Sequence, residues 1–416
     1  MKKMLLSIAT LPCLLTGFHV SASADDGINV LSNVKFSGEI RPRYESADSH
    51  LGTDSTRDAA KAFTTRTTIG VGADLFQVSG LSAYLEGTSV NNFGYTNYNG
   101  AGTGINLNTK YDIIKDPQQA RITQAYIDYK IGKTLIRAGR QDVNLDNQRF
   151  IGTVDWRQMK QTYDAVAIVD NSIDNLSLLG AYVAGYIGVG EAQASTNTKS
   201  VLLHGAYKVN DMLTVTAYDY MLASISDTYG AALTGNIDAG VAKLDYRAEY
   251  AKQTDPSLEY QVKNVKADAQ YYNLDLGANI SGFLAGLNYE SLGKAEGSAT
   301  KGFNTPLATL HAFNGWADVF LGSTNNAGLN DANVRLGYAD KSLGKLLAVY
   351  HKFDAQTGAK KDLGSEFDVS YGNKIPGINN LTGLIKGAFY KGGDATGFTN
   401  DKTVAWLMLD YKFAMK

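Results

Sequence analysis

The chain has 416 residues, with 43 Gly and 25 Tyr against only 6 Pro, and 39 basic against 41 acidic residues, a formal charge of −2. The basic residues are dispersed rather than clustered, which argues against a nucleic-acid partner. Beyond the first two dozen residues no apolar run is long enough for a spanning helix, which excludes a helical membrane protein.

Lys2 and Lys3 form a basic n-region, Met4 to Val20 an apolar h-region, and Ala22-Ser23-Ala24 an A-x-A cleavage site. This pattern predicts a signal peptide over residues 1–24 and a mature chain starting at Asp25. Loss of Lys2 and Lys3 leaves 37 basic against 41 acidic residues, a charge of −4. The alternative, an N-terminal membrane anchor, needs about 20 apolar residues, more than the run provides. Cys13, the one cysteine, lies inside this leader. Export without disulfides suits a Gram-negative envelope better than a disulfide-stapled secreted fold.

The mature chain reads as strands. Over residues 34–45, Val34, Phe36, Gly38, Ile40, Pro42 and Tyr44 fall on one side and Lys35, Ser37, Glu39, Arg41, Arg43 and Glu45 on the other. A strand has a period of two, so this segment has one apolar and one charged face, as a wall between lipid and a watery lumen requires. Further strands are predicted at 62–75, 81–90, 120–130, 134–142, 160–169, 176–186, 200–209, 212–222, 228–235 (short), 239–251, 267–279 and 283–292. Two pairs follow, turning at 341–344 and near Pro376-Gly377, and a last strand covers 402–413. Short turns are expected near Gly80, Gly132, Asn210-Asp211 and Ser281-Gly282, and long loops over 91–119, 143–159 and 293–329.

The count is eighteen, and every short turn falls on the side of the termini. Merging 228–235 into a loop would give sixteen and put the Ser281-Gly282 turn on the wrong side. The expected fold class is therefore all-β: a transmembrane antiparallel β-barrel of eighteen strands with a water-filled lumen. Closure follows from the solvent, because an unpaired backbone N–H or C=O in hydrocarbon costs several kcal/mol. Ala405, Leu407, Leu409, Tyr411 and Phe413 give the last strand an apolar face ending in an aromatic. Tyr44, Tyr129, Tyr218, Tyr289, Tyr338 and Tyr411 near strand ends suit aromatic girdles at the two interfaces.

Two longer motifs, RAGRQDVNLDNQRFIGTVDWRQ over 137–158 and FNTPLATLHAFNGWAD over 303–318, resemble the alginate-export family of outer-membrane porins. LDYRAEY at 244–250 and the terminal DYKF resemble it too. The resemblance implies a monomeric eighteen-stranded barrel that passes hydrophilic, often anionic, solutes such as sugar acids or alginate-like polyuronates. An outer membrane location brings lipid, lipopolysaccharide and the barrel-insertion machinery as partners. An alginate exporter needs a strongly basic lumen, whereas several strands here carry mixed charge.

Arg is the residue best suited to meet a carboxylate in a pore, since its planar fork stays charged. The candidate pore-lining and substrate-binding residues are Arg41 and Arg43 on the first strand, Arg66 on the second, Arg137 and Arg140 on the fifth, Arg149 and Arg157 in the motif loop, and Arg335 on the fourteenth. The side on which Arg140 lies is open from sequence. Lys243, Asp245, Arg247 and Glu249 form a mixed row on the eleventh strand, read as cross-strand ion pairs or as a transverse field. Glu366 and Asp368 are expected as partners for the arginines. Each candidate also reads as an ordinary lumen residue paired with a carboxylate. Thr305-Pro306 suggests a short helical turn, with Leu307, Leu310 and His311 on one side, packing at the mouth or folding inward.

No metal-ligand spacing, nucleophile elbow or phosphate loop appears, so neither an enzyme nor a cofactor is expected. The leading expectation is a passive channel for hydrophilic, anion-biased solutes. Its rivals are a weakly selective general porin, a barrel enzyme and a plugged structural barrel.

Overall fold

The computed structural model describes residues 30–415 apart from 51–55, 102–106, 191–195, 261 and 322–325. The expected leader over 1–24 and the cleavage before Asp25 lie outside the described residues. The strands are β1 (Leu31–Ser49), β2 (Ala60–Leu75), β3 (Leu81–Asn91), β4 (Gln119–Ile131), β5 (Thr134–Gln141), β6 (Thr162–Asp170), β7 (Leu176–Ile187), β8 (Thr196–Asn210) and β9 (Leu213–Leu222). They continue with β10 (Ser226–Asp238), β11 (Ala242–Thr254), β12 (Ala269–Ile280), β13 (Phe283–Leu292), β14 (Leu329–Asp340), β15 (Gly344–Asp354), β16 (Asp362–Lys374), β17 (Leu381–Lys391) and β18 (Lys402–Met415). Every strand pairs antiparallel with its neighbours in sequence, and β1 pairs with both β2 and β18, so the sheet closes into an eighteen-stranded barrel. Closure leaves no sheet edge to solvate.

The wall is amphipathic by register. Leu276, Leu287, Val334, Tyr350, Phe367 and Phe389 pair in succession across β12 to β17, and all are 46–57 % exposed. One residue away, the row Asp275, Asn288, Asn333, His351, Glu366 and Tyr390 crosses the same six strands on the inner face. A continuous exposed belt of large apolar side chains is a liability in water and a requirement in lipid.

The segment expected as a short strand at 228–235 is a full thirteen-residue strand, β10. Its run of Gly230, Ala231, Ala232 and Gly235 supplies little side-chain contrast, so its alternation is faint. Ser281 and Gly282 both take positive φ, 51° and 94°, the conformation of a two-residue type I′ hairpin. The turn expected at Asn210-Asp211 falls one residue later, where the Asn210 side-chain oxygen accepts the Met212 N–H at 2.8 Å. The β9–β10 connection breaks the long–short alternation: it is only residues 223–225, although it lies at the long-loop end.

Among the expected girdle tyrosines, Tyr44, Tyr129, Tyr289 and Tyr411 are exposed and Tyr338 is half-buried against Phe283. Tyr218 is a correction. It is buried on the inner face, stacked on Tyr220 and donating to Glu249 at 2.8 Å.

Candidate functional site

Two loops turn into the barrel and meet. Loop 142–161 follows β5, and loop 293–328 follows β13. The Gly152 N–H donates to the Leu307 carbonyl at 2.8 Å and the Thr309 N–H to the Gln148 carbonyl at 3.0 Å. The Thr309 hydroxyl bonds Gln148 Oε1 at 2.6 Å and accepts the Val154 N–H at 3.1 Å. Phe150 and Phe303 bury themselves against Tyr271 and Tyr218 of the inner wall, with ring centroids 5.2–5.9 Å apart. The two motifs that stood out in sequence therefore form one inner body. The helical turn is at Leu310–Ala312 rather than after Pro306.

The arginines fasten this body to the wall. Arg41 donates to Gln158 Oε1 at 3.1 Å and to the carbonyls of Asp155 at 3.0 Å and Arg157 at 2.6 Å. Gln158, which sequence reasoning passed over, returns its amide to the carbonyls of Arg41 and Thr64, both at 3.1 Å. Arg43 reaches the Trp156 carbonyl at 2.6 Å and pairs with Asp116 of a third loop. Arg66 joins Glu39 at 2.6 Å and Asp155 at 2.7 Å. Arg157 joins Glu45 at 3.0 Å and Asp318 at 2.8 Å. Arg149 grips both oxygens of Glu290, at 2.6 and 3.2 Å, and reaches Asn314 at 2.9 Å. A buried guanidinium is tolerable only when paired in this way. Burial would push Asp155 and Asp116 up, but the neighbouring arginines hold both carboxyls below the usual range.

Lys386 of β17 is the centre of the far side. Its ammonium lies 3.8 Å from the ring centre of Trp316, 4.4 Å from Trp156 and 5.4 Å from Trp406. The chain has three tryptophans, and all three surround this one cation. Lys386 Nζ is 2.7 Å from His311 Nε2, and His311 Nδ1 is 2.8 Å from Asp318. Asp318 accepts from Nδ1, which leaves Nε2 to accept from the lysine. Trp156 stacks on His311 with ring centres 4.4 Å apart. Glu366 and Asp368 do not meet arginines. They accept the backbone N–H groups of Ala317 at 2.7 Å and Trp316 at 3.2 Å.

Burial pushes the His311 imidazole from 6.5 down to about 3, with Asp318 opposing and Lys386 acting in the same direction as burial. A histidine swung into water titrates near 6.5. The folded value is depressed, so the docked loop is fully favoured above pH 6.5 and loses stability as the pH falls from 6.5 towards 3. Protease cleavage within 293–328 is expected to rise over that window. Equal cleavage at pH 7 and pH 4 would contradict this coupling.

Between β1–β3 and loop 142–161 remains a cavity of about 240 Å³ with no apolar side chain in its lining. Glu39, Glu86, Asp142 and Asp155 face Arg66, Lys160 and Lys412 across it. Lys160 bonds Glu86 at 2.8 Å and Asp142 at 2.7 Å. Burial raises the Asp142 carboxyl against the pull of Lys160, with Glu86 and Asp155 adding to the rise.

The remaining candidates are dispersed. Arg137 lies inside, paired with Asp128 at 2.7 Å, and Arg335 inside, paired with Asp275 at 2.6 Å. Arg247 pairs with Glu249 of its own strand at 2.8 Å, not across strands. Lys243 and Asp245 are exposed towards the opposite end of β11. Arg140 is a correction. It pairs across the sheet with Ala125 and Asp164, so it shares the outward face of Ile127 and Val166. It holds Asp164 at 2.8 Å one step beyond the Val166–Tyr182 pair, near the level where interfacial aromatics and charges sit. Sequence reasoning missed Glu86, Asp116, Lys160, Glu290 and Lys386. Alternation alone turns Lys386 inward between the lipid-facing Ile385 and Phe389, and that signal was available.

A closed antiparallel barrel, apolar outside and polar inside, with two loops turned into the lumen, is the architecture of outer-membrane porins. The chain is recognised by the alginate-export family model over residues 32–182, from β1 into β7. That span contains the 137–158 motif, while the 303–318 motif lies beyond it. Similar solved structures share the fold along nearly the whole length. Acinetobacter baumannii OccAB3 superposes with a TM-score of 0.72 at 17% identity, covering 92% of this chain and 100% of that one. Pseudomonas aeruginosa OccK8 (OprE) gives 0.71 at 16%, covering 92% and 99%. Pseudomonas aeruginosa OpdK with vanillate gives 0.71 at 15%, covering 93% and 100%. No curated protein matches the sequence.

Proposed function

We propose that the chain is a passive channel for small hydrophilic solutes, acting as a monomer, belted by lipid and lipopolysaccharide and placed by the barrel-insertion machinery. The observation that carries this is the charged and polar cavity inside a closed barrel. Its volume, about 240 Å³, is below the ~300–1,000 Å³ of ordinary ligand pockets, the scale of one small solute. Passage is by diffusion.

A bias to anions is the second reading, favoured by the vanillate, a carboxylate, in the OpdK structure. Here Arg66, Arg137 and Arg335 already hold carboxylates of the chain itself. A solute anion reaches them only by exchange, which counts against this second reading. Liposome swelling tests both readings. Small sugars, amino acids and vanillate are expected to cause swelling and oligouronates to cause none. Swelling with oligouronates would restore the polyuronate reading, and no swelling with any solute would overturn the channel.

A further inference from the structure

Resting on the channel reading, we infer that the cavity makes this a cation-preferring pore, and that Asp142 and Asp155 are the residues that set the preference. Two carboxylate–cation–carboxylate groups face the same small space. Arg66 lies between Glu39 of the wall and Asp155 of the loop, at 2.6 and 2.7 Å. Lys160 lies between Glu86 of the wall and Asp142 of the loop, at 2.8 and 2.7 Å. Each group has one more carboxylate than cation.

The other nearby cations reduce the surplus without cancelling it, because four carboxylates stand against Arg66 and Lys160 in the two groups and Arg41 behind them also acts on Asp155. Lys412 is largely exposed and has its own partner, Asp410, at 3.4 Å. Arg41 is buried behind the cavity wall, turned to the backbone carbonyls of 155–157 and to Gln158. One oxygen of Asp142, Oδ1, is buried without a hydrogen-bond partner, so an acceptor at the lining stands ready for a donor. Surplus carboxylate in a confined space raises the local concentration of cations and lowers that of anions. The solutes that profit carry an ammonium or guanidinium group, amino acids and polyamines among them.

Both deciding carboxylates belong to the loop, not to the barrel wall. The strands alone would present Glu39 and Glu86 with Arg66 and Lys412, and loop 142–161 adds Asp142, Asp155 and Lys160. Selectivity is thus set by the docked loop, and two substitutions there can alter it without touching a strand.

The test is reversal potential in a potassium chloride gradient across a planar bilayer, with heat-modifiable gel mobility as the check on folding. Wild type is expected to pass potassium over chloride by about fivefold, as surplus carboxylates in a narrow site imply. Asp142→Asn should bring the ratio towards unity, and the double variant Asp142→Asn/Asp155→Asn should invert it. Putrescine should block wild type more strongly than succinate does. A wild-type preference for chloride overturns the inference, as does a potassium preference that the folded double variant retains. A folded protein that gives no conductance at all overturns the channel reading instead.

Discussion

Arg149→Met is expected to enlarge the conductance while leaving the barrel folded. Arg149 ties three segments: loop 142–161 on which it sits, Glu290 of β13, and Asn314 of loop 293–328. Its guanidinium also lies 4.7 Å over the Phe313 ring. Methionine fills much of the volume and supplies none of the charge. Glu290 then stays buried with only Tyr271 and Asn314 as donors. Removing one partner of a buried ion pair costs about 3–5 kcal/mol. Single loop hydrogen bonds return about 1 kcal/mol each, so the inner body becomes the weakest part of the molecule. The strand ladders contain neither Arg149 nor its loop, so the barrel keeps its heat-resistant gel mobility. Single-channel recordings should show larger, noisier steps, and protease should cut within 142–161. Glu290→Gln added to Arg149→Met should recover part of the loss, because the orphaned charge goes with it. An unchanged conductance and cleavage pattern in the single variant would show that the loops are held by packing alone.

Lys386→Met should be visible in fluorescence. All three tryptophans of the chain, Trp156, Trp316 and Trp406, lie around that one ammonium. Each cation–π contact contributes about 0.5–2 kcal/mol depending on desolvation. Methionine also removes the donor facing His311 Nε2 and a positive charge that acts on the buried Asp368 carboxyl. The emission of all three indoles should therefore shift together, and loop 293–328 should become cleavable at neutral pH. Lys386→Arg keeps the charge but brings a wider group into a closed cage, and should fall between. A spectrum and a cleavage pattern identical to wild type would show that the lysine is a bystander.

The wall was legible because it obeys one rule, the period of two. Strand β1 declares it through Lys35 to Glu45, and β11 through Lys243 to Glu249. β10 whispers it because glycine and alanine carry no contrast. Alternation assigns a face but never a partner. Arg41 meets Gln158 across 117 positions, and Arg149 meets Glu290 across 141. No local pattern encodes such pairs. A carboxylate partner is readable for each arginine from sequence, but not which one, and most close on carboxylates or carbonyls of the chain itself far away in sequence. Arg140 shows the converse. The same alternation that turns Arg137 inward turns Arg140 outward, and pairing with Asp164 near the interface makes that position tolerable. The inner body was recognisable as two unusual motifs, but not as one object. Its assembly depends on Gly152 meeting Leu307 and Gln148 meeting Thr309, contacts between loops on opposite halves of the sequence.

The most direct test is electrical recording of the purified, heat-modifiable protein in a planar lipid bilayer. A water-filled bore narrowed by two docked loops predicts discrete, small, steady conductance steps that grow in the Arg149→Met variant. A folded protein that leaves the bilayer silent in both forms would contradict it.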